Sequence, residues 1–255
     1  MANFEEAIRE IAVLHDIDLV GFARVDGIQW GYPPRPAEDL LPGAKTVVVF
    51  AAALLQGALE CPRGTKGAIK DSQVAYDRVQ NAGAAVGRYL ERNNYPSYFP
   101  PASLPTDAYK QKEGDRFAGE FSHRQAAIAA GVGVKGWNNL LVTPEYGPRV
   151  RIGSLLTTAE FDFEIRELPP DLCTGCGRCV EACPVKALDP HRELYLDQPK
   201  CKSHYIRPYL DHTTWQTLKN AFTVKFFFFT ALQMLLEGYY FSCAECQRVC
   251  PVGKK

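Results

Sequence analysis

The chain opens with an amphipathic pattern. Between residues 4 and 15 apolar side chains recur at helical spacing, and polar positions end the pattern before an apolar run at residues 19–23. This periodicity predicts a helix packed on a core, followed by a strand. A continuous, largely β-branched run that starts at Thr46 predicts a second strand buried on both faces. Residues 73–92 predict a long helix with one apolar face.

The middle of the chain alternates irregular and regular stretches. Prolines and aromatic residues between positions 93 and 117 exclude a long regular element and predict a substantial loop. Residues 121–130 predict another helix, which a glycine-rich stretch follows. Apolar segments that start at Leu140 and Arg149 flank a Pro-Gly turn and predict a β-hairpin. Residues 160–170 read as a linker.

Two domains are predicted. Residues 1–170 form a body of mixed helices and strands, and residues 171–255 form a smaller module with a helical insert at about 205–241. The centre of that insert is an apolar run at residues 224–237.

The insert is not expected to cross a membrane. Lys225, Gln233 and Glu237 interrupt its apolar run, whereas a membrane-spanning helix needs about 20 mostly apolar residues. The three polar residues are spaced by multiples of four and give one polar stripe on an otherwise apolar helix. We expect a packed helix that caps the module. A homodimer interface through the helix at 218–241, and contact with a membrane surface, are the alternatives.

Composition and charge exclude little but point away from nucleic acid. The 255 residues carry 29 basic and 29 acidic side chains, so the formal net charge is zero. That balance gives no electrostatic footprint for a polyanion, and no nucleic-acid partner is expected. The first residues, MANFEEAIRE, lack an apolar core and a twin-arginine pair, which favours a cytoplasmic location.

The cysteines carry the chemistry. Four follow the spacing C-x2-C-x2-C-x3-C-P, one stands alone, and three more follow C-x2-C-x3-C-P. In two-cluster bacterial ferredoxins three thiolates of such a run bind one cluster, and the cysteine before proline binds the other. The spacing therefore predicts two [4Fe-4S] clusters, one on Cys173, Cys176, Cys179 and Cys250 and the other on Cys201, Cys243, Cys246 and Cys183.

Two other uses of these cysteines were weighed. Disulfides are disfavoured because no secretion signal is recognisable. Zinc uses C-x2-C pairs but leaves the two Cys-Pro ends unexplained. Cys61 falls outside the pattern and is expected to be an ordinary residue.

A resemblance extends this interpretation. Residues 131–157 read GVGVKGWNNLLVTPEYGPRVRIGSLLT, with His123-Arg124 before them and the cysteine module behind. This combination resembles the cobalamin-binding core shared by reductive dehalogenases and epoxyqueuosine reductases. The resemblance implies an α+β fold, in which a nitroreductase-like α/β body binds base-off cobalamin and a two-cluster module follows. The residues it assigns to the corrinoid are Gly133, Gly136, Trp137, Asn138, Leu141, Tyr146, Gly147, Arg149, Val150, Ile152 and Gly153. On the residues alone an alternative remains open, in which the glycines of this stretch form turns and its aromatic residues pack in the core.

The same resemblance implies a proton donor just before the glycine-rich block. Epoxyqueuosine reductases carry an acidic donor at the position that Phe117 occupies here. The candidate donors in this chain are Tyr109, Asp115, Glu120 and His123. Tyr109 is preferred, because a neutral phenol gives up a proton without placing a carboxylate beside an electron-rich cobalt.

The expected function is a cobalamin- and iron–sulfur-dependent reductase that removes halide or oxygen from a small organic substrate. The alternative is an electron-transfer protein, or a corrinoid reductase or activator, that delivers electrons to a separate redox partner. An electron donor such as ferredoxin or flavodoxin is expected in either case. Reduction of epoxyqueuosine in tRNA is expected to be the less favoured activity. This chain lacks the acidic donor that epoxyqueuosine reductases carry, and its formal net charge is zero.

Overall fold

A four-stranded antiparallel sheet forms the centre of the body. The computed structural model describes residues 4–30, 36–61, 66–102, 120–191, 195–201, 204 and 243–254. The strands of this sheet are β1 (Leu19–Arg24), β2 (Thr46–Ala53), β3 (Ser97–Tyr98) and β6 (Val150–Thr157), in the order β1-β2-β6-β3. A separate pair contains β4 (Val134–Lys135) and β5 (Leu141–Val142). All the strand pairs are antiparallel.

Strand β2 lies inside the sheet and is buried on both faces, as predicted. It pairs with β1 along one edge and with all eight residues of β6 along the other. Side chains alternate across a strand, so Val48 and Phe50 enter one core while Val47 and Val49 enter the other. The continuous apolar run is therefore explained by two layers of helices rather than by a parallel sheet.

Helices cover both faces of the sheet. The helices of the described residues are α1 (Phe4–Leu14), α2 (Gln56–Leu59), α3 (Lys66–Arg92), α4 (His123–Ala129), α5 (Arg178–Glu181) and α6 (Glu245–Arg248), of which α5 and α6 belong to the cysteine module. Helices α1 and α3 pack on one face and α4 packs on the other. The predicted apolar face of α3 is buried, and the helix begins earlier than predicted because Ala68 and Ile69 extend the buried stripe toward its start.

The predicted hairpin around the Pro-Gly turn is wrong. Strand β5 pairs with β4, while β6 leaves the turn to join β2. Thr143 and Gly147 exchange backbone hydrogen bonds of 2.9 and 2.8 Å, which closes a tight loop and redirects the chain. The eight-residue ladder with β2 buries more of β6 than the two residues of β5 offer, so the long-range pairing is preferred.

The predicted linker contains no helix or strand but contributes to the core. The rings of Phe161 and Phe163 lie 5.7 and 5.6 Å from the ring of Phe22 in β1. Phe161 also contacts Phe4 of α1, with the ring centroids 5.8 Å apart. The segment therefore fixes α1 to the sheet before the chain enters the cysteine module.

The two-part fold class is confirmed, while the proposed boundary at residue 170 stays a prediction. The insert at 205–241, including the 218–241 helix and its proposed dimer interface, lies outside the described residues. Within the described ranges, no helix is both long enough and apolar enough to span a membrane.

Candidate functional site

The first group of four cysteines surrounds one cavity. Cys173 and Cys176 reach it from the loop before α5, Cys179 reaches it from α5 itself, and Cys250 reaches it from the segment after α6. Gly175 and Gly177 in that loop have positive φ angles of 66° and 76°, a left-handed conformation that glycine adopts without strain. The loop can therefore turn tightly enough to direct three sulfur atoms into one space.

The second group surrounds a neighbouring cavity. Its cysteines are Cys183, Cys201, Cys243 and Cys246, which come from three separate segments. Asn138, a buried side chain of the glycine-rich block, lines both cavities. The structure thus brings the eight cysteines together in the two sets that the crossing rule describes, and it leaves Cys61 exposed and outside both.

Burial keeps several of these thiols protonated when no metal is bound. It raises the pKa of Cys179 and of Cys201 to about 11 and that of Cys246 to about 12, and neighbouring cysteines add to each shift. Metal ligation requires the thiolate, so binding must displace these protons. The groups are better suited to hold a metal than to act as exposed redox-active thiols.

The arrangement fits a cluster better than a single ion. An iron–sulfide cube occupies the space between its ligands, so its cysteines line a cavity instead of converging on a point.

The glycines that were predicted to lie against a corrinoid are packed against other residues of the protein. A Cβ on Gly133 would lie 2.6 Å from the carbonyl oxygen of Val142, and one on Gly153 would lie 2.4 Å from Val79. A Cβ on Gly136 would meet the Asn138 side chain at 2.6 Å. Leu141, Val150 and Ile152 pack in the core beneath α4. Internal packing accounts for these residues without a ligand, and their assignment to a corrinoid stays a prediction.

The two aromatic residues of the block lie at the joint between body and module. Trp137 lies against Gly175 of the first cysteine loop, where a Cβ would be 2.7 Å from the indole. The hydroxyl of Tyr146 is 3.4 Å from a carboxylate oxygen of Asp18, and burial followed by that carboxylate raises the pKa of Tyr146. Trp137 therefore contacts the module through its side chain, whereas Tyr146 contacts the module through its backbone, which lies close to Gly253.

Arg149 is the centre of this joint. Its side chain is buried, and one guanidinium nitrogen donates to the carbonyl oxygens of Gln247 and Cys250 at 3.1 and 3.0 Å. The second nitrogen donates to the carbonyl oxygen of Val252. Gln247 in turn donates to the carbonyl oxygen of Pro148 at 2.9 Å. Sequence reasoning missed this joint, because its carbonyl partners lie about 100 residues further along the chain.

A tyrosine–glutamate pair lies at the start of α4. The hydroxyl of Tyr98 donates to Glu120 at 2.7 Å, and this hydrogen bond raises the pKa of Tyr98 to about 12. Glu120 was a sequence candidate, whereas Tyr98 was not, since only tertiary structure pairs the two. Tyr109 and Asp115 lie outside the described residues.

His123 is a poor proton donor at neutral pH. Burial lowers the pKa of His123 to about 4, so the ring is neutral. Its Nε2 lies 3.2 Å from the carbonyl oxygen of Pro101, and because a carbonyl only accepts, Nε2 carries the hydrogen. Nδ1 is then a buried acceptor without a partner among the described residues.

This neutral histidine predicts a specific pH dependence. The unfolded chain protonates His123 near 6.5 and the folded chain near 4, so stability falls as pH drops through that window. His123→Gln retains a donor for Pro101 but does not titrate. We expect the wild type to lose up to about 3 kcal/mol relative to this variant between pH 7 and pH 4. Thermal unfolding midpoints of both proteins across this range measure the difference, and a constant difference would contradict it.

Comparisons with known proteins agree with this geometry. The family described as a 4Fe-4S double cluster binding domain matches residues 172–253. Epoxyqueuosine reductase from Gloeobacter violaceus is 32% identical over 230 residues, which cover 88% of this chain and 62% of that protein. The chain spans about half the length of the Bacillus epoxyqueuosine reductases that it also matches.

Solved structures show the same fold. An epoxyqueuosine reductase determined with a tRNA-Tyr epoxyqueuosine-modified stem loop superposes with a TM-score of 0.62 at 20% identity, over 98% of this chain and 65% of that one. The catabolic reductive dehalogenase NpRdhA superposes with a TM-score of 0.63 at 18% identity, over 98% and 32%. In sequence, fold and cysteine module together, this chain resembles the family that epoxyqueuosine reductases and reductive dehalogenases share.

Proposed function

We propose that this chain is a reductase that uses two [4Fe-4S] clusters and cobalamin. The observation that supports it best is the pair of adjoining cysteine cavities, with Asn138 lining both. Cys179 of the first group acts electrostatically on Cys246 of the second, which shows how near the two groups are. Clusters so placed would pass electrons from one to the other.

Cobalamin fits one region of the body. His123 Nδ1, Arg124 Nε and the Asn139 side-chain oxygen are buried without partners among the described residues. Arg124 also donates to the backbone carbonyl of Asn139, so these two residues belong to one patch between α4 and the glycine-rich block, and His123 precedes Arg124 at the start of α4. A buried polar atom without a partner costs about 1–3 kcal/mol. The amide groups around a corrin ring would supply one acceptor and two donors to this patch.

The role of the chain beside such a cofactor is to bind, orient and protonate. Cobalamin, when bound, supplies a cobalt centre that is a strong nucleophile and reductant. Replacing a halogen by hydrogen consumes two electrons and one proton and releases halide, and removing an epoxide oxygen as water consumes two electrons and two protons. Tyr98 holds a proton at neutral pH as any tyrosine does, and the hydrogen bond to Glu120 fixes its orientation and raises its pKa further, to about 12. Tyr98 therefore joins Tyr109 and Glu120 among the proposed donors.

Epoxyqueuosine in tRNA is the first substrate to test. The relatives named above are epoxyqueuosine reductases, and one related structure holds a modified tRNA stem loop. These relatives rank tRNA above the position that the missing acidic donor and the neutral charge gave it in the sequence analysis. A small organohalide is the second candidate, favoured by the formal net charge of zero and by a dehalogenase relative.

Turnover tests the proposal and the donor together. The chain is reconstituted anaerobically with iron, sulfide and cobalamin, and a low-potential chemical donor drives reduction of epoxyqueuosine tRNA, aryl and alkyl halides, and simple epoxides. We expect turnover of at least one substrate and a loss of about a hundredfold in Tyr98→Phe, the usual contribution of a positioned acid. Cluster and cobalamin absorption should be unchanged in this variant.

Tyr89→Phe is the matched control, since Tyr89 packs near Phe4 on the opposite face of the sheet. A similar loss in both variants would remove Tyr98 from the mechanism. A wild type that contains both cofactors and reduces no substrate, yet passes electrons to an acceptor protein, would instead support the electron carrier.

A further inference from the structure

The Cys250 segment, defined as residues 246–253, is attached to the body through a buried positive charge. The Arg149 side chain is 4% exposed, and its hydrogen bonds to described residues end on three carbonyl oxygens of this segment. Gly147 allows the contact, because a Cβ there would lie 2.2 Å from the carbonyl oxygen of Val252. The guanidinium of Arg149 in the body therefore contacts the backbone of Cys250, one of the proposed cluster ligands.

The hydrogen-bond partners of Arg149 are neutral and do not balance its positive charge. Carbonyl oxygens satisfy its N–H groups but cannot neutralise it, and an uncompensated charge away from water is costly. The carboxylate of Glu60 acts on Arg149, but Glu60 is half-exposed and pairs with Lys254 at 3.1 Å. A larger negative charge is expected on the other side of the Cys250 segment.

An iron–sulfur cluster would provide it. Four thiolates give an oxidised [4Fe-4S] cluster a net negative charge, and one-electron reduction adds another. The guanidinium bonds the carbonyl of Cys250 itself at 3.0 Å, and its charge acts on the Cys250 thiol against the effect of burial. A buried cation stabilises the more negative, reduced state more strongly than the oxidised state.

We propose that Arg149 is a positioning residue that fixes Cys250 and raises the reduction potential of the cluster bound by Cys173, Cys176, Cys179 and Cys250. The corrinoid assignment of Arg149 is replaced by this role. The inference rests on the iron–sulfur part of the proposed function and on neither the substrate nor the cobalamin.

The test is a redox titration of the reconstituted full-length chain, followed by electron paramagnetic resonance of the reduced clusters. In Arg149→Met one of the two titrating components should show at least a tenfold lower ratio of reduced to oxidised cluster at a fixed ambient potential. This ratio corresponds to a shift of about 59 mV for one electron. The other component should stay within threefold of wild type. Arg149→Lys keeps the charge and should hold both components within threefold.

Lys254→Met is the matched control, because it removes one positive charge next to the same segment but at an exposed position. Water screens such a charge, so neither component should move more than threefold. If Arg149→Met does not retain the first cluster, Arg149→Gln replaces it, since its amide still donates to the carbonyl oxygens without a charge.

The outcomes separate cleanly. A wild type without two clusters would overturn the proposed function together with this inference. A wild type with two clusters, and unshifted potentials in the uncharged variants, would overturn the inference alone. Equal shifts in Arg149→Lys and the uncharged variants would also overturn it, since they would show that geometry rather than charge sets the potential.

Discussion

Cys183→Ser is expected to lower the iron content of the reconstituted chain from about eight to about four ions. Cys183 is buried in the second cavity with Cys201, Cys243 and Cys246, although it stands next to the first three cysteines in the sequence. A serine hydroxyl is a poor replacement for a thiolate ligand, so the second cluster should be lost while the first remains. Iron and sulfide analysis, with the visible absorption of the anaerobic protein, measures this result.

Cys61→Ser is the control for the same measurement. Cys61 is exposed and lines neither cavity, so its replacement should leave the iron content unchanged. About four iron ions in a fully reconstituted wild type would rule out the two-cluster arrangement. Loss of both clusters in Cys183→Ser would show that the cavities cannot be filled independently.

Gly147→Ala is expected to destabilise the protein by about 3 kcal/mol or more. Gly147 has a φ of +56°, and a left-handed conformation alone costs a residue with a Cβ about 1–2 kcal/mol. The added methyl would also lie 2.2 Å from the carbonyl oxygen of Val252, and relieving such overpacking typically costs a further 1–3 kcal/mol. Movement of Val252 would carry Cys250 away from the first cavity, so a weaker first cluster should accompany the loss. Denaturant unfolding and iron content report the two effects.

Gly57→Ala provides the comparison. Gly57 lies in α2 with open space where a Cβ would be, and its φ is not positive. Alanine should therefore stabilise the helix by up to about 1 kcal/mol. Similar losses in both variants would mean that the contact between Gly147 and Val252 is not a tight one.

Patterns in the sequence predicted the elements whose burial repeats regularly along the chain. The apolar run at β2 and the buried stripe of α3 are visible in sequence because burial imposes a period of two or of about 3.6 residues. Cysteine spacing was equally informative, since cluster ligands must converge and few spacings allow it. The structure gathers the same eight cysteines into the same two groups of four.

The missed features all depend on distant partners. The hairpin prediction failed because β6 finds a longer ladder with β2 about 100 residues earlier in the chain. The Tyr98–Glu120 pair and the Arg149 joint each connect segments whose proximity no local pattern encodes. Glycine spacing in the glycine-rich block reports close approach without saying which atoms approach, so its assignment to a corrinoid stays a prediction.

The crossed arrangement of the cysteines sets an order of events during synthesis. Each cavity takes ligands from before residue 202 and from after residue 242, so neither set is complete until residue 246 has been made, and the first must wait for residue 250. At 5–20 residues per second the ribosome needs roughly 4 to 15 seconds to travel from Cys173 to Cys250. During that interval the early thiols are available without their partners. Completion of the first cluster is therefore expected only after residue 250 has been made, and a chain truncated before residue 243 would lose the capacity for both clusters at once.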